Sequence, residues 1–157
     1  MVLSKNQQIV ALAIDIITDE IWKPKLFAWL QPRSNIWRDL DNTDRIVGFI
    51  ENNNILGALM FSDYDGNNIF VHLSLDDPRA CQRRYIKYMF NYCFITAKCN
   101  RMTALCENNY KRNEKLLQGV GFTKEGVIRQ GFCKNGTFVD GAVYGMLKKE
   151  CKWIRGN

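Results

Sequence analysis

The sequence lacks the features that mark secreted, membrane-spanning or metal-binding proteins. Its apolar run from Ile9 to Ile17 is too short to span a bilayer and is interrupted by Asp15. Its start, MVLSKNQQ, has no signal-peptide pattern. No CxxC pair occurs among six cysteines, and His72 is the only histidine. We therefore expect a cytoplasmic protein with reduced thiols, no metal and no membrane partner.

What the chain does contain is typical of one globular domain. It has 157 residues, of which 46% are apolar, enough to bury a core. The net charge of +6 favours an anionic partner such as nucleic acid, an acidic protein or a phosphorylated cofactor. No zinc-finger or RNP motif is present, and the aromatic residues are not interleaved with basic ones, which disfavours nucleic acid.

The first half of the chain predicts helices followed by a meander. Apolar residues at helical spacing predict an opening helix from about Lys5 to Asp19. A short apolar segment, Leu26–Leu30, then precedes a polar loop over Gln31–Asn42. Three runs separated by Asn, Asp and Gly turns predict an antiparallel meander: Arg45–Glu51, Ile55–Ser62 and Asn68–Leu75.

The second half alternates helices with strands. Pro78 predicts the start of a helix whose apolar face includes Tyr85 and Met89. The remaining segments are a strand, a short helix and two strands joined by Asn135-Gly136: Arg101–Glu107, Tyr110–Gln118, Phe122–Cys133 and Phe138–Leu147. This order predicts one α+β domain with a mixed sheet of six to seven strands and a right-handed crossover helix.

Two C-terminal motifs carry a resemblance to a known family. One is GFTKEGVIR, from Gly121 to Arg129, and the other runs from Asp140 through Val143-Tyr144-Gly145-Met146-Leu147 to Trp153. Together they resemble the GNAT N-acetyltransferases, most closely the ribosomal-protein N-terminal acetyltransferase branch and its short bacteriophage relatives. The likeness covers roughly residues 45 to 153, and it implies a cofactor-binding core there and a helical acceptor-side segment over residues 1–44.

The resemblance implies a function and its partners. A GNAT enzyme binds acetyl-coenzyme A (acetyl-CoA) and transfers the acetyl group to an amine by direct attack in a ternary complex. The acceptor implied is a protein N-terminus, a lysine or a small amine. We expect a monomer or homodimer located in the cytoplasm. If the protein is viral, this is the cytoplasm of the host.

The resemblance also implies cofactor-binding residues. The stretch aligned with the family's phosphate-binding loop offers Arg79, Gln82, Arg83 and Arg84, with Gln82 and Arg84 at places where the family carries glycine. A backbone cradle can persist there while Arg83 or Arg84 binds phosphate, although these arginines are equally expected on a solvated helix face.

Further cofactor contacts are implied on either side of that loop. Ser74, Leu75 and Asp76 end the strand that the family uses to hold the thioester, and the N–H of Ser74 or Leu75 is the candidate oxyanion donor. Asn109 and Asn113 are candidates to bind the pantetheine arm, and each is equally a candidate loop residue or helix cap.

His72 is the candidate general base, on the strand before the cofactor loop. An imidazole with a pKa near ~6.5 suits proton transfer at neutral pH. The alternative is a packed histidine with a satisfied hydrogen bond. Asp76 and Asp77 are alternative bases, or simply turn residues before Pro78.

The general acid and the acceptor site are less defined. Leu117 stands where many GNAT enzymes carry a tyrosine acid, so either no side-chain acid is used or Tyr110 or Tyr144 replaces it. The acceptor region is expected around Trp22, Trp29, Arg33 and Trp37. Two further hypotheses stay open: a GNAT-fold binding module without catalysis, and a basic nucleic-acid-binding protein.

Overall fold

The computed structural model describes residues 14 to 154 and contains one mixed seven-stranded sheet with three helices. The elements, in chain order, are β1 (Asp15–Ile17), α1 (Lys23–Leu30), β2 (Arg45–Glu51), β3 (Asn54–Ser62), β4 (Asn68–Leu75), α2 (Arg83–Asn91), β5 (Arg101–Glu107), α3 (Lys111–Val120), β6 (Thr123–Lys134) and β7 (Thr137–Leu147). Short 3₁₀ turns cover Glu20–Trp22, Pro78–Ala80, Lys148–Glu150 and Lys152–Ile154, and Tyr92–Thr96 is π-helical. The predicted α+β fold with its meander and C-terminal hairpin is confirmed.

The sheet order is β1-β2-β3-β4-β5-β7-β6. All neighbouring strands are antiparallel except β4 and β5, which run parallel and are connected through α2. At the β2–β3 turn, Asn52 and Asn53 both have positive φ angles of 49° and 64°. Asparagine tolerates this conformation, which matches the twist of a tight hairpin. These local turns explain why most strand boundaries could be predicted.

Two sequence predictions on helices are wrong. Within the predicted opening helix, Asp15–Ile17 is an edge strand paired with β2, with Ile16 opposite Phe49; residues 5–13 lie outside the described part. Pairing to β2 provides this short apolar segment with backbone partners that outweigh its helical spacing. Pro78 begins only a 3₁₀ turn, since Cys81 (ψ 61°) and Gln82 (ψ 149°) leave the helical region before α2.

The two faces of the sheet bury separate hydrophobic clusters. The cluster between the sheet and α2 is called the larger core, and it includes Phe49, Phe61, Met89, Phe90 and Tyr144. The smaller core lies between α1 and strands β2 and β3, and its fully buried members include Leu26, Leu30 and Met60. No helix among residues 14–154 combines the length and apolarity needed to cross a bilayer.

The end of α3 gives a matched test of the backbone. Gly121 has φ 113°, and a Cβ there would lie 3.1 Å from Met146 Cε, whereas Gly119 is helical with open space around it. Gly121→Ala should lower the free energy of unfolding by about 1–2 kcal/mol because alanine is strained at positive φ. Gly119→Ala should raise it by about 0.5 kcal/mol.

Urea denaturation of both variants checks this pair. An equal effect of the two substitutions would contradict the left-handed C-cap that the structure gives Gly121.

Candidate active site

Strands β4 and β5 part half-way along their length. Their parallel register runs only from Asn68 opposite Arg101 to Val71 opposite Ala104. Beyond that point β4 remains paired with β3 as far as Leu75, and β5 remains paired with β7 as far as Glu107. Each strand is therefore held by its outer neighbour while the inner edges separate, which leaves backbone groups facing a gap.

A cavity of about 930 Å³ occupies this gap. Its walls come from both parted strands, α2, α3, the segment after α1 and the β6–β7 hairpin, and include Arg33, Trp37, His72, Leu73, Leu75, Cys81, Ile86, Leu105, Cys106, Glu107, Tyr110, Asn113, Leu116, Leu117, Cys133 and Lys134. This is within the size range of small-molecule sites, and most of the wall is apolar with a few polar groups.

The cavity passes through the sheet from one face to the other. Leu73 and Leu75 pack against the larger core, whereas His72 pairs with Met60, which belongs to the smaller core. Because side chains alternate along a strand, His72 lies on the α1 face and its neighbours lie on the α2 face. A ligand entering from the α2 side can therefore meet a second ligand entering from the α1 side.

The backbone of β4 directs amides into the gap. Asp76 N–H donates to Leu56 O over 2.9 Å, and Ala58 is opposite Ser74 in the same register. Antiparallel alternation then turns the Ser74 amide towards β3 and the amides of Leu73 and Leu75 towards the gap. Of the two predicted oxyanion donors, Leu75 is thus the one whose N–H the register directs into the opening.

His72 is half-buried in the cavity wall. Burial lowers the pKa of its imidazole, and the positive charge of Arg38 lowers it further, whereas Asp63 and Asp44 act in the opposite direction. His72 Nε2 lies 3.0 Å from Ser62 Oγ. A histidine with a lowered pKa is neutral at physiological pH, which is the protonation state that a general base requires.

The predicted loop arginines are engaged away from the cavity. Arg79 pairs with Asp77 at 2.8 Å and Glu51 at 3.0 Å. Arg83 lies over the Trp153 ring, and Arg84 donates to the Ile14 carbonyl over 3.0 Å. None of these side chains belongs to the cavity lining, because ion pairs, ring stacking and a backbone carbonyl hold them elsewhere.

The start of α2 is nevertheless close to this region. Cys81 lines the cavity, and Gln82 occupies the N-cap without a side-chain hydrogen bond to the helix. The Arg84 Nε–H donates to Gln82 Oε1 over 3.1 Å, which keeps the two side chains together. The first amides of a helix have no intrahelical acceptor, so Arg83 and Arg84 present N–H groups suited to an anion.

The two predicted aspartate bases are both paired with arginine. Asp76 contacts Arg33 at 3.0 Å and connects the segment after α1 to the end of β4. The hydrogen bond from the Arg79 side chain lowers the pKa of Asp77. Neither aspartate is among the cavity-lining residues.

The remaining predicted residues divide between cavity and surroundings. Asn113, Tyr110 and Leu117 line the cavity. Asn109 occupies a left-handed turn (φ 65°), where its backbone N–H donates to Glu114 Oε1 over 3.1 Å. Burial raises the pKa of Tyr144, whose hydroxyl lies inside the larger core with no hydrogen-bond partner among residues 14–154.

Sequence reasoning missed several residues of this site. Glu107 and Lys134, which form a 3.0 Å ion pair, line the cavity on the α1 side, and Cys133 also lines the cavity. Ser62 contacts His72 from the neighbouring strand. Only the hairpin register, with Phe70 opposite Ser62, could have placed Ser62 beside His72.

Comparison with known proteins supports the fold. The structure is similar to two solved structures of SpeG from Vibrio cholerae, one of mutant forms of a spermidine/spermine N-acetyltransferase and one of a single mutant described as a spermidine N-acetyltransferase. One matches with a TM-score of 0.73 and 14% identity over 87% of this chain and 94% of the other. The second has a TM-score of 0.72 and 15% identity over 90% of this chain and 96% of the other. A structure described as a probable acetyltransferase has a TM-score of 0.64 and 15% identity over 83% and 74%.

This similarity places the fold among those of the GNAT acetyltransferases. At the level of sequence, no protein-family model matches the chain, and no curated protein matches it.

Proposed function

We propose that this protein is an acetyl-CoA-dependent N-acetyltransferase that uses direct attack by the acceptor amine. The observation that carries the proposal is the parting of β4 from β5, which opens a cavity through the sheet with His72 in its wall. A passage of this kind lets an acyl donor and an acceptor meet without either crossing the other.

The residues of the gap fit the acyl donor. The amides of Leu73 and Leu75 lack a strand partner on the β5 side, so an extended chain with its own amide groups can pair with them. Leu116, Leu117 and Ile86 offer an apolar wall to such a chain. The backbone start of α2 suits the diphosphate, without the loop arginines that the sequence suggested.

The chemistry follows from these positions. Acetyl-CoA supplies a thioester, whose C–S bond breaks as the amine nitrogen bonds to the acetyl carbon. The Leu75 N–H is the candidate donor that stabilises negative charge on the carbonyl oxygen. His72 accepts the proton that the amine loses, and Tyr110, which lines the cavity, is the candidate to protonate the leaving thiolate.

The α1 side of the cavity bears on the acceptor. Its charged lining comprises Arg33, Glu107 and Lys134, and the single carboxylate of the three is already bound by Lys134. A polycation needs several available carboxylates, so this lining favours an amine on a peptide or on a small molecule of low charge. Spermidine, the substrate named for the structural neighbour, is the second candidate because of the shared fold.

Thiol protection tests the proposed cofactor site directly. Cys81 is exposed and lines the cavity beside α2, whereas Cys93, Cys99, Cys106 and Cys151 are buried. We expect maleimide to modify Cys81 rapidly and acetyl-CoA at about ten times its Kd to slow that reaction by about tenfold, because the site is then free only about a tenth of the time. Peptide mass mapping reads each cysteine, and the rate at free cysteine in solution is the control.

A turnover assay with a panel of amines completes the test. Protection of Cys81 with thiol release from acetyl-CoA supports the enzyme. Protection without turnover of any amine would favour a binding module without catalysis. No protection, together with salt-sensitive binding to nucleic acid, would reject the proposal in favour of a nucleic-acid-binding protein.

A further inference from the structure

A second cavity lies on the other side of Ser62 from His72. That cavity, of about 840 Å³, is lined by Ser62, Asp63, Arg38 and Asp44. Ser62 Oγ lies 3.0 Å from His72 Nε2 and 2.7 Å from Asp63 Oδ2. A chain of three side chains, His72–Ser62–Asp63, therefore connects the cavity of the candidate active site to this second cavity.

The direction of these bonds determines the tautomer of the imidazole. A carboxylate only accepts hydrogen bonds, so the single proton of the Ser62 hydroxyl is donated to Asp63. The Ser62 oxygen must then accept from His72, and Nε2 is the nitrogen that carries the hydrogen. Nδ1 keeps its lone pair.

We propose that Ser62 and Asp63 are positioning residues that hold His72 as the Nε2–H tautomer, with Nδ1 as the basic nitrogen. The role in turnover rests on the proposed acetyltransferase function, whereas the tautomer does not. When Nδ1 takes the proton of the attacking amine, the imidazolium that forms donates from Nε2 to Ser62, and the Asp63 carboxylate stabilises the new positive charge. The proton on Nδ1 is later released to water.

Other features of the fold account for this arrangement. Ser62 is 2% exposed, so water does not compete effectively for its hydroxyl. Asp63 directly follows β3 in a left-handed conformation with φ 52°, which brings the carboxylate back onto the preceding hydroxyl. Arg38 is held in the same cavity by two 2.7 Å hydrogen bonds to Asp44. The charged groups that act on His72 are thus Asp63, Asp44 and Arg38.

Because His72 is the only histidine, its tautomer can be measured without assignment. Long-range proton–nitrogen correlation spectra of protein labelled with ¹⁵N-histidine distinguish Nε2–H from Nδ1–H directly. We expect Nε2–H in the wild type at neutral pH. Asp63→Asn should shift the population towards Nδ1–H, because an amide group can donate to Ser62 and leave the hydroxyl to donate to Nε2.

Asp39→Asn is the matched control. Asp39 lines the same cavity and its neutralisation removes the same charge, yet it is not bonded to Ser62 or His72. We expect its spectrum to match that of the wild type. A wild type in the Nδ1–H form, or an Asp63→Asn spectrum unchanged from wild type, would overturn the proposal whatever the enzymatic activity is.

Turnover then tests the catalytic consequence. Asp63→Asn should lower kcat by about tenfold or more with little change in KM for acetyl-CoA. The acidic limb of the pH profile of kcat/KM should move to lower pH in Asp63→Asn, since loss of the Asp63 charge disfavours the imidazolium form of His72. Ser62→Ala should lower kcat similarly, with thermal unfolding recorded because Ser62 is buried.

If His72→Ala abolishes turnover but Asp63→Asn does not change it, the positioning role fails while the proposed function stands. If the wild type transfers no acetyl group, the proposed function fails and the spectra still decide the tautomer.

Discussion

Replacing His72 with alanine should lower kcat for acetyl transfer by about a hundredfold or more, because the attacking amine loses the group that accepts its proton. His72→Gln should have the same effect while preserving a hydrogen-bond donor towards Ser62. Binding of acetyl-CoA, measured by protection of Cys81, should be unchanged in both variants. A kcat within twofold of wild type would reject His72 as the base.

The pH dependence gives a second measure of the same role. The base must be neutral, so kcat/KM should fall as pH drops through the pKa of His72. Burial and Arg38 lower that pKa from its ordinary value of 6.5. The acidic limb should therefore lie below about 6.5. An acidic limb at or above that value, or one retained in His72→Gln, would assign it to another group.

Leu116→Glu should weaken acetyl-CoA binding by about tenfold or more. Leu116 lies half-buried in the cavity wall on α3. A carboxylate there would face a ligand that carries several negative charges, and repulsion is stronger in a cavity than in open water. Isothermal titration with acetyl-CoA measures the change in Kd.

The matched control for this substitution is Gln118→Glu on the same helix. Gln118 is exposed and does not line the cavity, so the same added charge should change Kd by less than twofold. Equal weakening by both variants would indicate a general charge effect and contradict the proposed position of the cofactor. No weakening by either would place the cofactor away from α3.

The strands of the core were predictable because their signals are local. Asn68–Leu75 and Arg101–Glu107 have the predicted boundaries, and the Asn135-Gly136 turn joins β6 and β7 as predicted. Period-two patterns and tight-turn residues act over a few positions and need no distant partner. The GFTKEGVIR motif places Gly121 at the left-handed end of α3 and buries Phe122, so both residues support the fold.

The candidate site was only partly predictable. Among the predicted site residues, His72, Leu75 and Asn113 line the cavity. Arg79, Arg83 and Arg84 were chosen for their charge, and charge alone does not tell which anion or ring a long side chain will find. Their partners, Glu51, Trp153 and the Ile14 carbonyl, come from distant parts of the chain. The acetyltransferase branch and the acceptor stay predictions.

The sequence by itself determined the order of strands and helices from β2 onward and the place of His72 on the strand before the loop. These follow from spacing and turn chemistry within short segments. Only the tertiary structure decided that β4 and β5 part after Val71 and that Asp15–Ile17 pairs at the edge of the sheet. It also decided that Ser62 and Asp63 form a hydrogen-bonded chain with His72. Each of these depends on which strands pair and in what register, and pairing energies are set by residues far apart along the chain.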